Sequence, residues 1–268
     1  MTVLHPFAQK GKSFSAERVM KVLSWNILAS EWIKKSYYKG VDDKILFNTA
    51  RRTRTIFKRI EEEKADVLML QEVMKTTYKK LKERYGKAYH ISELSPIQWS
   101  YGKGSQSGNV TLLKKKIFKG SAKSVVHEYL PFAVHTVFTP SAARNGPISF
   151  FNIHLDDISP KTRAQQLEEL KKSFTKRTIV AGDFNHPYRS NSALYNSFGR
   201  GFEVHNFCPT YYIEKKLNID NIVIRGFKHS KEELEGDSCE PYPKDIEQGF
   251  TEYGSDHLPV KTFVELNF

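Results

Sequence analysis

The sequence predicts an α/β protein built on two β-sheets packed face to face, with helices outside. Three observations carry that expectation. Apolar runs of strand length alternate with amphipathic segments of helix length from residue 19 to the end of the chain. Two strand–helix–strand stretches are separated by strands that follow one another directly, which sets antiparallel hairpins between parallel units. No linker, repeat or low-complexity tract interrupts the pattern. At 268 residues the chain can bury a substantial core. The expected organisation is an N-terminal extension over 1–18 and a single domain over 19–268.

Residues 19–25 read as a first strand. Asp42 and Asp43 are caps for a helix running to about Lys64. In it Leu46, Ala50, Ile56, Phe57 and Ile60 recur at helical spacing and face inward, while Arg51, Arg52, Arg54, Lys58 and Arg59 point to solvent. A buried strand follows over 66–71 and a second helix over 76–85. Residues 102–108 are rich in glycine and serine and are expected to form an exposed, mobile loop. Strands are predicted over 109–113, 124–129, 132–138 and 148–154. Ser159 and Pro160 open a helix carrying Arg163, Gln166, Leu167 and Leu170. Strands over 178–182, 219–224 and 258–264 complete the core.

A formal net charge of +12 describes a surface that attracts polyanions. This favours nucleic acid over a small neutral substrate, although the lysines and arginines are scattered through pairs such as Lys34-Lys35, Lys79-Lys80, Lys171-Lys172 and Lys215-Lys216. No apolar run approaches the roughly 20 residues of a membrane span. Cys208 and Cys239 lie outside any metal-ligand spacing and are expected to be two inert thiols. Residues 1–20 lack the apolar stretch of a secretory signal. The expectation is an intracellular, non-secreted protein of cytoplasm or nucleus, with no obligate protein partner evident.

Chemistry-bearing residues stand where apolar runs stop: Asn26, Glu72, His154, Asp183 with Asn185, Asp220, and Asp256 with His257. Polar residues that close buried strands gather at the rim of a sheet, where open α/β folds keep their sites. A carboxylate at the end of a buried strand, as Glu72 is, is costly without a cation or donors. An oxygen-ligated Mg2+, or Mn2+, resolves that cost. Asp183 and Asn185 are two apart, so an extended backbone turns both to one side. His257 is placed to exchange a proton near neutral pH or to hold a positive charge.

Together the segments Ser24-Trp25-Asn26, Leu70-Gln71-Glu72, Asn152-Ile153-His154-Leu155, Gly182-Asp183-Phe184-Asn185, Ile219-Asp220 and Ser255-Asp256-His257 resemble the endonuclease/exonuclease/phosphatase family in order and spacing across almost the whole chain. The resemblance implies a DNase I-like, four-layer sandwich of two packed mixed β-sheets flanked by helices. It also implies a metal-dependent hydrolase of phosphoester bonds. By it Glu72 holds the metal with Asn26 and Asp256, directly or through water. Asp183 orients or deprotonates the attacking water, Asn185 contacts a phosphate oxygen or helps hold the metal, and His154 donates to the phosphate from the other side. Asp220 orients His257, whose role as base or as electrostatic stabiliser stays open here. Asn109 resembles the family's Gly-Asn strand start and is expected to reach the phosphate.

One position departs from the resemblance. Leu28 stands where many DNA-directed members carry an acid. The wording Asn26-Ile27-Leu28-Ala29 is closer to deadenylases and related phosphodiesterases, which favours a single-stranded or 3'-end substrate. Trp32, Tyr37 and Tyr38 lie among Lys34, Lys35 and Lys39, and Trp99 and Tyr101 border a glycine-rich loop. These aromatics are the candidate base-stacking residues, Trp32, Tyr38, Trp99 and Tyr101 foremost. Two rival readings remain at this point. One is a phosphatase of inositol phosphates or a sphingomyelinase-type phospholipase on the same metal site. The other is an inactive nucleic-acid-binding module.

Overall fold

The computed structural model describes residues 18–96, 106–119, 125–140, 146–189, 192–205, 208–213, 217–228 and 240–266. Two mixed β-sheets form the centre, as the sequence predicts. The first contains β1 (Arg18–Asn26), β2 (Val67–Met74), β3 (Tyr89–Ile91), β4 (Ser95–Pro96), β5 (Ser107–Lys114) and β12 (Val260–Leu266), in the order β12-β1-β2-β5-β3 with β4 also on β5. The second contains β6 (Val125–Leu130), β7 (Ala133–Phe138), β8 (Ile148–His154), β9 (Arg177–Asp183), β10 (Phe202–Val204) and β11 (Asp220–Arg225), in the order β10-β11-β9-β8-β7-β6. The pairs β1/β2 and β8/β9 are parallel and the rest antiparallel.

Helices α1 (Asp43–Leu46), α2 (Thr49–Glu63), α3 (Lys75–Tyr85), α4 (Pro160–Lys171), α5 (Ala193–Asn196) and α6 (Ile246–Glu252) lie outside the sheets. Ile56, Phe57 and Ile60 of α2 and Leu81 of α3 pack on Leu23, Leu68 and Leu70 of the first sheet. Leu167 and Leu170 of α4 pack on Phe151, Val180 and Val223 of the second. Met20, Val22, Val67, Met69, Phe150, Ile179 and Ile222 fill the space between the sheets. The result is a four-layer α/β/β/α sandwich.

The expected continuous helix from Asp42 to Lys64 is broken. Asp42 caps α1 through Lys44 N–H, and Asn48 caps α2 through Arg51 N–H at 2.9 Å. Two capping side chains six residues apart start two helices, not one. Ala50 is exposed and Arg52 is buried, the reverse of the predicted faces. Residues 107 and 108 belong to β5, and Ser107 Oγ donates to Glu31 Oε1 at 2.6 Å. The end of the supposed mobile loop is therefore a buried strand. Cys208 is disulfide-bonded. A sequence gives cysteine spacing but not the Cα approach a bridge requires, so this departure from two free thiols was not readable in advance. Among the described residues no helix is long and apolar enough to cross a membrane.

Candidate active site

Side chains alternate along a strand, so each inward-facing row can be followed from the buried base of the sandwich to its rim. Met20 and Val22 lead to Ser24 and Asn26. Val67 and Met69 lead to Gln71. Ile148 and Phe150 lead to Asn152 and His154. Ile179 and Ala181 lead to Asp183, and Ile224 and Ile222 lead to Asp220. All of these residues are buried. Each row is apolar where the sheets pack against each other and polar at one end, and the polar ends converge.

Between core and rim lies a hydrogen-bonded layer that ties the two sheets together. Asn152 Nδ2 donates to the carbonyls of Leu70 and Val110 at 3.1 and 2.9 Å, and its Oδ1 accepts from Gln71 Nε2 at 2.7 Å. Asn109 belongs to the same layer. Its amide nitrogen donates to the carbonyls of Phe132 and Asn152 at 3.2 and 3.3 Å, and the residue is fully buried. Asn109 thus joins the sheets and presents no face to a phosphate, contrary to the sequence expectation. Such buried polar networks fix register because every misalignment strands a donor.

Simple alternation would point Glu72 the same way as Leu70, into the helix layer. The β2/β5 register shifts between Leu70 and Val73, and Glu72 adopts φ 56°. This bulge turns the carboxylate into the site, where bulges are known to re-aim side chains. Glu72 Oε1 accepts from Asn26 Nδ2 at 2.9 Å and Oε2 from Ala29 N–H at 2.8 Å. Leu28 and Asn185, at φ 51° and 47°, make comparable departures just beyond β1 and β9. A left-handed conformation at three non-glycine residues is a strain that only a rigid surround maintains.

Asn26 bridges the two sheets. Its Nδ2 also donates to Asp183 Oδ2 at 3.1 Å, while its Oδ1 accepts from Leu28 N–H at 3.0 Å. It therefore faces the carboxylates with nitrogen and holds two of them in register. Asp183 Oδ1 accepts from Asn185 N–H at 2.8 Å, which closes a turn, and Asn185 Nδ2 donates to Leu155 O at 2.9 Å. The strand ends at Asp183, so the expected same-side pair on extended backbone is replaced by a turn that leaves Asp183 Oδ2 in the pocket. Gly182, at φ 150°, permits this geometry, because a Cβ there would stand 1.9 Å from Ile153 O.

His257 Nδ1 lies 2.8 Å from Asp220 Oδ2, as the resemblance implies. Its Nε2 lies 3.8 Å from Asp183 Oδ2 and 4.0 Å from Asp256 Oδ1. His154 Nε2 stands 3.6 Å from the same Asp183 oxygen. Positions 72, 183 and 257, far apart in sequence, thus share one pocket. Burial disfavours the imidazolium of His257, but Asp220 and Asp256 outweigh it and hold its pKa well above the usual histidine range. Burial pushes His154 down and Glu72 up. Asp183 is pushed up to about 7 by burial and by the neighbouring Asp220.

The donor set fits a hard cation. Among the described residues Glu72, Asp183, Asp220 and Asp256 are buried carboxylates, faced by the imidazoles of His154 and His257 and by the charge of the buried Arg52, which acts on Asp256 and Glu72. Asp256 Oδ1 is buried without a hydrogen-bond partner, an expensive state for an anion. Oxygen-rich, acid-rich surroundings suit Mg2+ or Mn2+ better than zinc. Ligand atoms of Asp183, Asp220 and His257 also lie within 4.8 Å of one another. Because the Asp220 oxygen is already engaged by His257 Nδ1, that trio reads as a histidine held by its carboxylate. Glu72 and Asp256 are the better metal ligands.

Tyr38 is no stacking platform. It is 3% exposed, its hydroxyl donates to Asp256 Oδ2 at 3.1 Å, and its ring meets Phe250 edge-on at 5.1 Å. Its neighbour Tyr37 is the exposed aromatic, with Lys34 Nζ 5.5 Å from the ring centre. Trp32 is half-buried against the cluster of Leu28, Tyr38, Val41 and Phe250. Trp99 and Tyr101 lie outside the described residues.

Two contributors escaped the sequence reading. Tyr211 pairs with the His257 backbone, and its ring centre lies 5.0 Å from the imidazole. Arg52, assigned to solvent, is 3% exposed. Its guanidinium donates to Gly254 O at 2.7 Å, Ile27 O at 3.1 Å and Leu28 O at 2.5 Å, so one side chain fastens the exit of β1 to the turn before Asp256. Periodicity placed Arg52 outward because nothing in the letters marks three carbonyls waiting to be satisfied. Arg52→Met is expected to cost about 3 kcal/mol of stability through those lost charge-assisted bonds. Denaturant titration measures it, and a loss below about 0.5 kcal/mol would show that the carbonyls have other partners.

Carboxylates and carboxylate-held imidazoles gathered at one rim of a two-sheet α/β sandwich define a phosphoester hydrolase. The chain belongs to the endonuclease/exonuclease/phosphatase family, whose sequence profile matches residues 23–257. Members of this family hydrolyse phosphoester bonds and are generally dependent on a divalent metal. No match was found among curated protein sequences. Among solved structures the chain is similar to ANGEL2, a 2',3'-cyclic phosphatase, in complex with adenosine-2',3'-vanadate. The TM-score is 0.68 at 16% identity, covering 94% of this chain and 97% of that one. It is also similar to the human Nocturnin catalytic domain with bound sulfate, at TM-score 0.59 and 16% identity over 93% and 95% of the two chains. A humanized D. rerio TDP2 gives TM-score 0.57 at 16% identity over 92% and 99%. At such identities the likeness establishes the fold.

Proposed function

We propose that the protein is a Mg2+-dependent phosphodiesterase acting on nucleic acid, with a single-stranded or 3'-terminal substrate. The observation that carries this is the cluster of carboxylates at the convergence of the two sheets, above all Asp256 Oδ1, which accepts no hydrogen bond among the described residues and acts on Glu72. The net charge of +12 on a protein whose pocket is acidic supports a polyanionic substrate that requires a cation in the site. Glu72 and Asp256 would hold the metal, which would supply Lewis acidity toward a phosphoryl oxygen.

The chain's own groups divide the remaining work. Asp183 takes the proton of the attacking water through Oδ2, the oxygen that faces His154 and His257. His257 is fixed by Asp220 through Nδ1, so Nε2 is the atom it turns to the phosphate, where it donates to a developing negative charge. His154 donates from the side of the second sheet. Asn26 and Asn185 hold the carboxylates and the turn rather than touching the substrate.

A panel of end-labelled substrates tests this reading: single- and double-stranded RNA and DNA, poly(A), an abasic duplex, RNA ending in a 2',3'-cyclic phosphate, and an inositol polyphosphate. Cleavage of single strands in Mg2+ that stops on chelation is the expected result. Phosphate release from the inositol polyphosphate alone would overturn it.

A further inference from the structure

A second basic feature lies beside the site. Helix α4 and residues 186–189 and 192–197 line a cleft of about 470 Å³ whose polar lining includes Arg163, Glu168, His186, Arg189 and Ser192. Arg163 is only 7% exposed and Arg189 is exposed. Among the described residues neither guanidinium is in an ion pair, whereas the acid of the cleft, Glu168, is paired with Lys171 at 2.8 Å. The His186 imidazole lines the same cleft, with Nε2 2.7 Å from Ser192 Oγ. Its pKa is lowered by burial and then by the charges of Arg163 and Arg189.

Both walls of the cleft are anchored to the catalytic strands. Arg163 Nη1 donates to Asp156 O at 2.8 Å, two residues beyond His154. His186 is three residues beyond Asp183, which limits the Cα separation to about 11 Å. Fastening the Asp156 turn uses one of Arg163's five N–H donors. A guanidinium with no counter-ion and most of its donors still available can take an anion from outside the chain, and its fork matches the geometry of a phosphate.

We propose that this cleft is a second phosphate subsite. It takes a phosphodiester neighbouring the scissile one on a single-stranded polynucleotide, with Arg163 and Arg189 as its cations and the hydrogen-bonded His186–Ser192 pair offering its one remaining proton as a neutral donor. The assignment rests on the nuclease reading above and extends it from a site for one phosphate to a track for a strand. Basic grooves that follow the backbone are how single strands are held without regard to sequence.

The test compares the full-length wild type with Arg189→Glu and His186→Ala, each confirmed folded by its melting curve, since Arg163 also braces the turn after His154. The first readout is the ratio of kcat/KM for a twelve-nucleotide strand to that for a dinucleotide with a single phosphodiester. The ratio should fall about tenfold in Arg189→Glu and should fall likewise in wild type when the linkages flanking the scissile one are neutral methylphosphonates. An unchanged ratio in both arms would overturn the subsite. The second readout is binding of the same strand to His257→Ala protein in EDTA. There Arg189→Glu should weaken affinity about tenfold and reduce the salt slope by about one. Weakened binding with no cleavage of any strand would leave the subsite standing and refute the nuclease reading. Cleavage with neither ratio nor affinity altered would refute the subsite alone, and an absence of both binding and cleavage would refute the two together.

Discussion

Asp183→Asn and His257→Ala are each expected to reduce turnover by at least about 10³-fold while leaving the protein folded, and the double variant should be little worse than either single one. Asp183 Oδ2 is the point on which the site converges. It takes Asn26 Nδ2 at 3.1 Å and stands 3.6 and 3.8 Å from the two imidazoles. Replacing the carboxylate with an amide keeps its volume and its turn bond to Asn185 but removes the carboxylate oxygen that faces both imidazoles. Replacing the imidazole removes the donor that Asp220 holds in place, together with the bond between Asp220 Oδ2 and Nδ1. Since the proposed mechanism has the two groups act on one proton and one phosphate, their losses should overlap. Steady-state rates on the best substrate of the panel, with circular dichroism as the control for folding, decide the matter. Rates within tenfold of wild type in either variant would move the chemistry elsewhere.

The site was legible because a β-strand spells its faces in alternate letters. A row such as Ile179-Ala181-Asp183 or Ile148-Phe150-Asn152-His154 announces in sequence both the core it fills and the rim it reaches, and the structure keeps those rows intact. Helix α2 was legible in the same way for Ile56, Phe57 and Ile60. What failed are residues whose placement is decided by groups distant in sequence. Tyr38 was read by its lysine neighbours as a stacking residue, but Asp256, 218 positions away, claims its hydroxyl. Asn109 was read by its place after Gly108, but carbonyls from β8 and from the turn before β7 claim its amide. Arg52 went inward because the exit of β1 and the turn at Gly254 leave three acceptors in one place. Glu72 reaches the candidate site for a reason the sequence does not show: strand alternation alone would bury it under the helices, and the bulge after Leu70 turns it back.

Glu72→Gln separates activity from stability. The variant should lose at least about 10²-fold in metal-dependent turnover, and its metal-free melting temperature at neutral pH should equal or exceed that of the wild type. The carboxylate is buried, and burial followed by repulsion from Asp256 raises its pKa, while Asn26 and Ala29 offset only part of that. A carboxylate whose folded pKa exceeds its unfolded value contributes stability in full below the unfolded pKa, and that contribution is lost as the pH rises through the folded pKa. At neutral pH the metal-free wild type therefore carries a penalty that the amide does not, and acidification toward the ordinary glutamate range should close the gap between the two proteins. Divalent metal should act in the opposite sense. At one hundred times its dissociation constant a ligand bound only to the native state adds about 2.7 kcal/mol, so Mg2+ or Mn2+ should raise the melting temperature of the wild type and leave that of Glu72→Gln nearly unmoved. Calorimetry across pH, with and without metal, reads both effects. Equal stabilisation of the two proteins by metal would mean that the cation sits away from Glu72, and a strongly destabilised metal-free variant would mean that this carboxylate is an anchor of the fold and not a charge held in readiness for an ion.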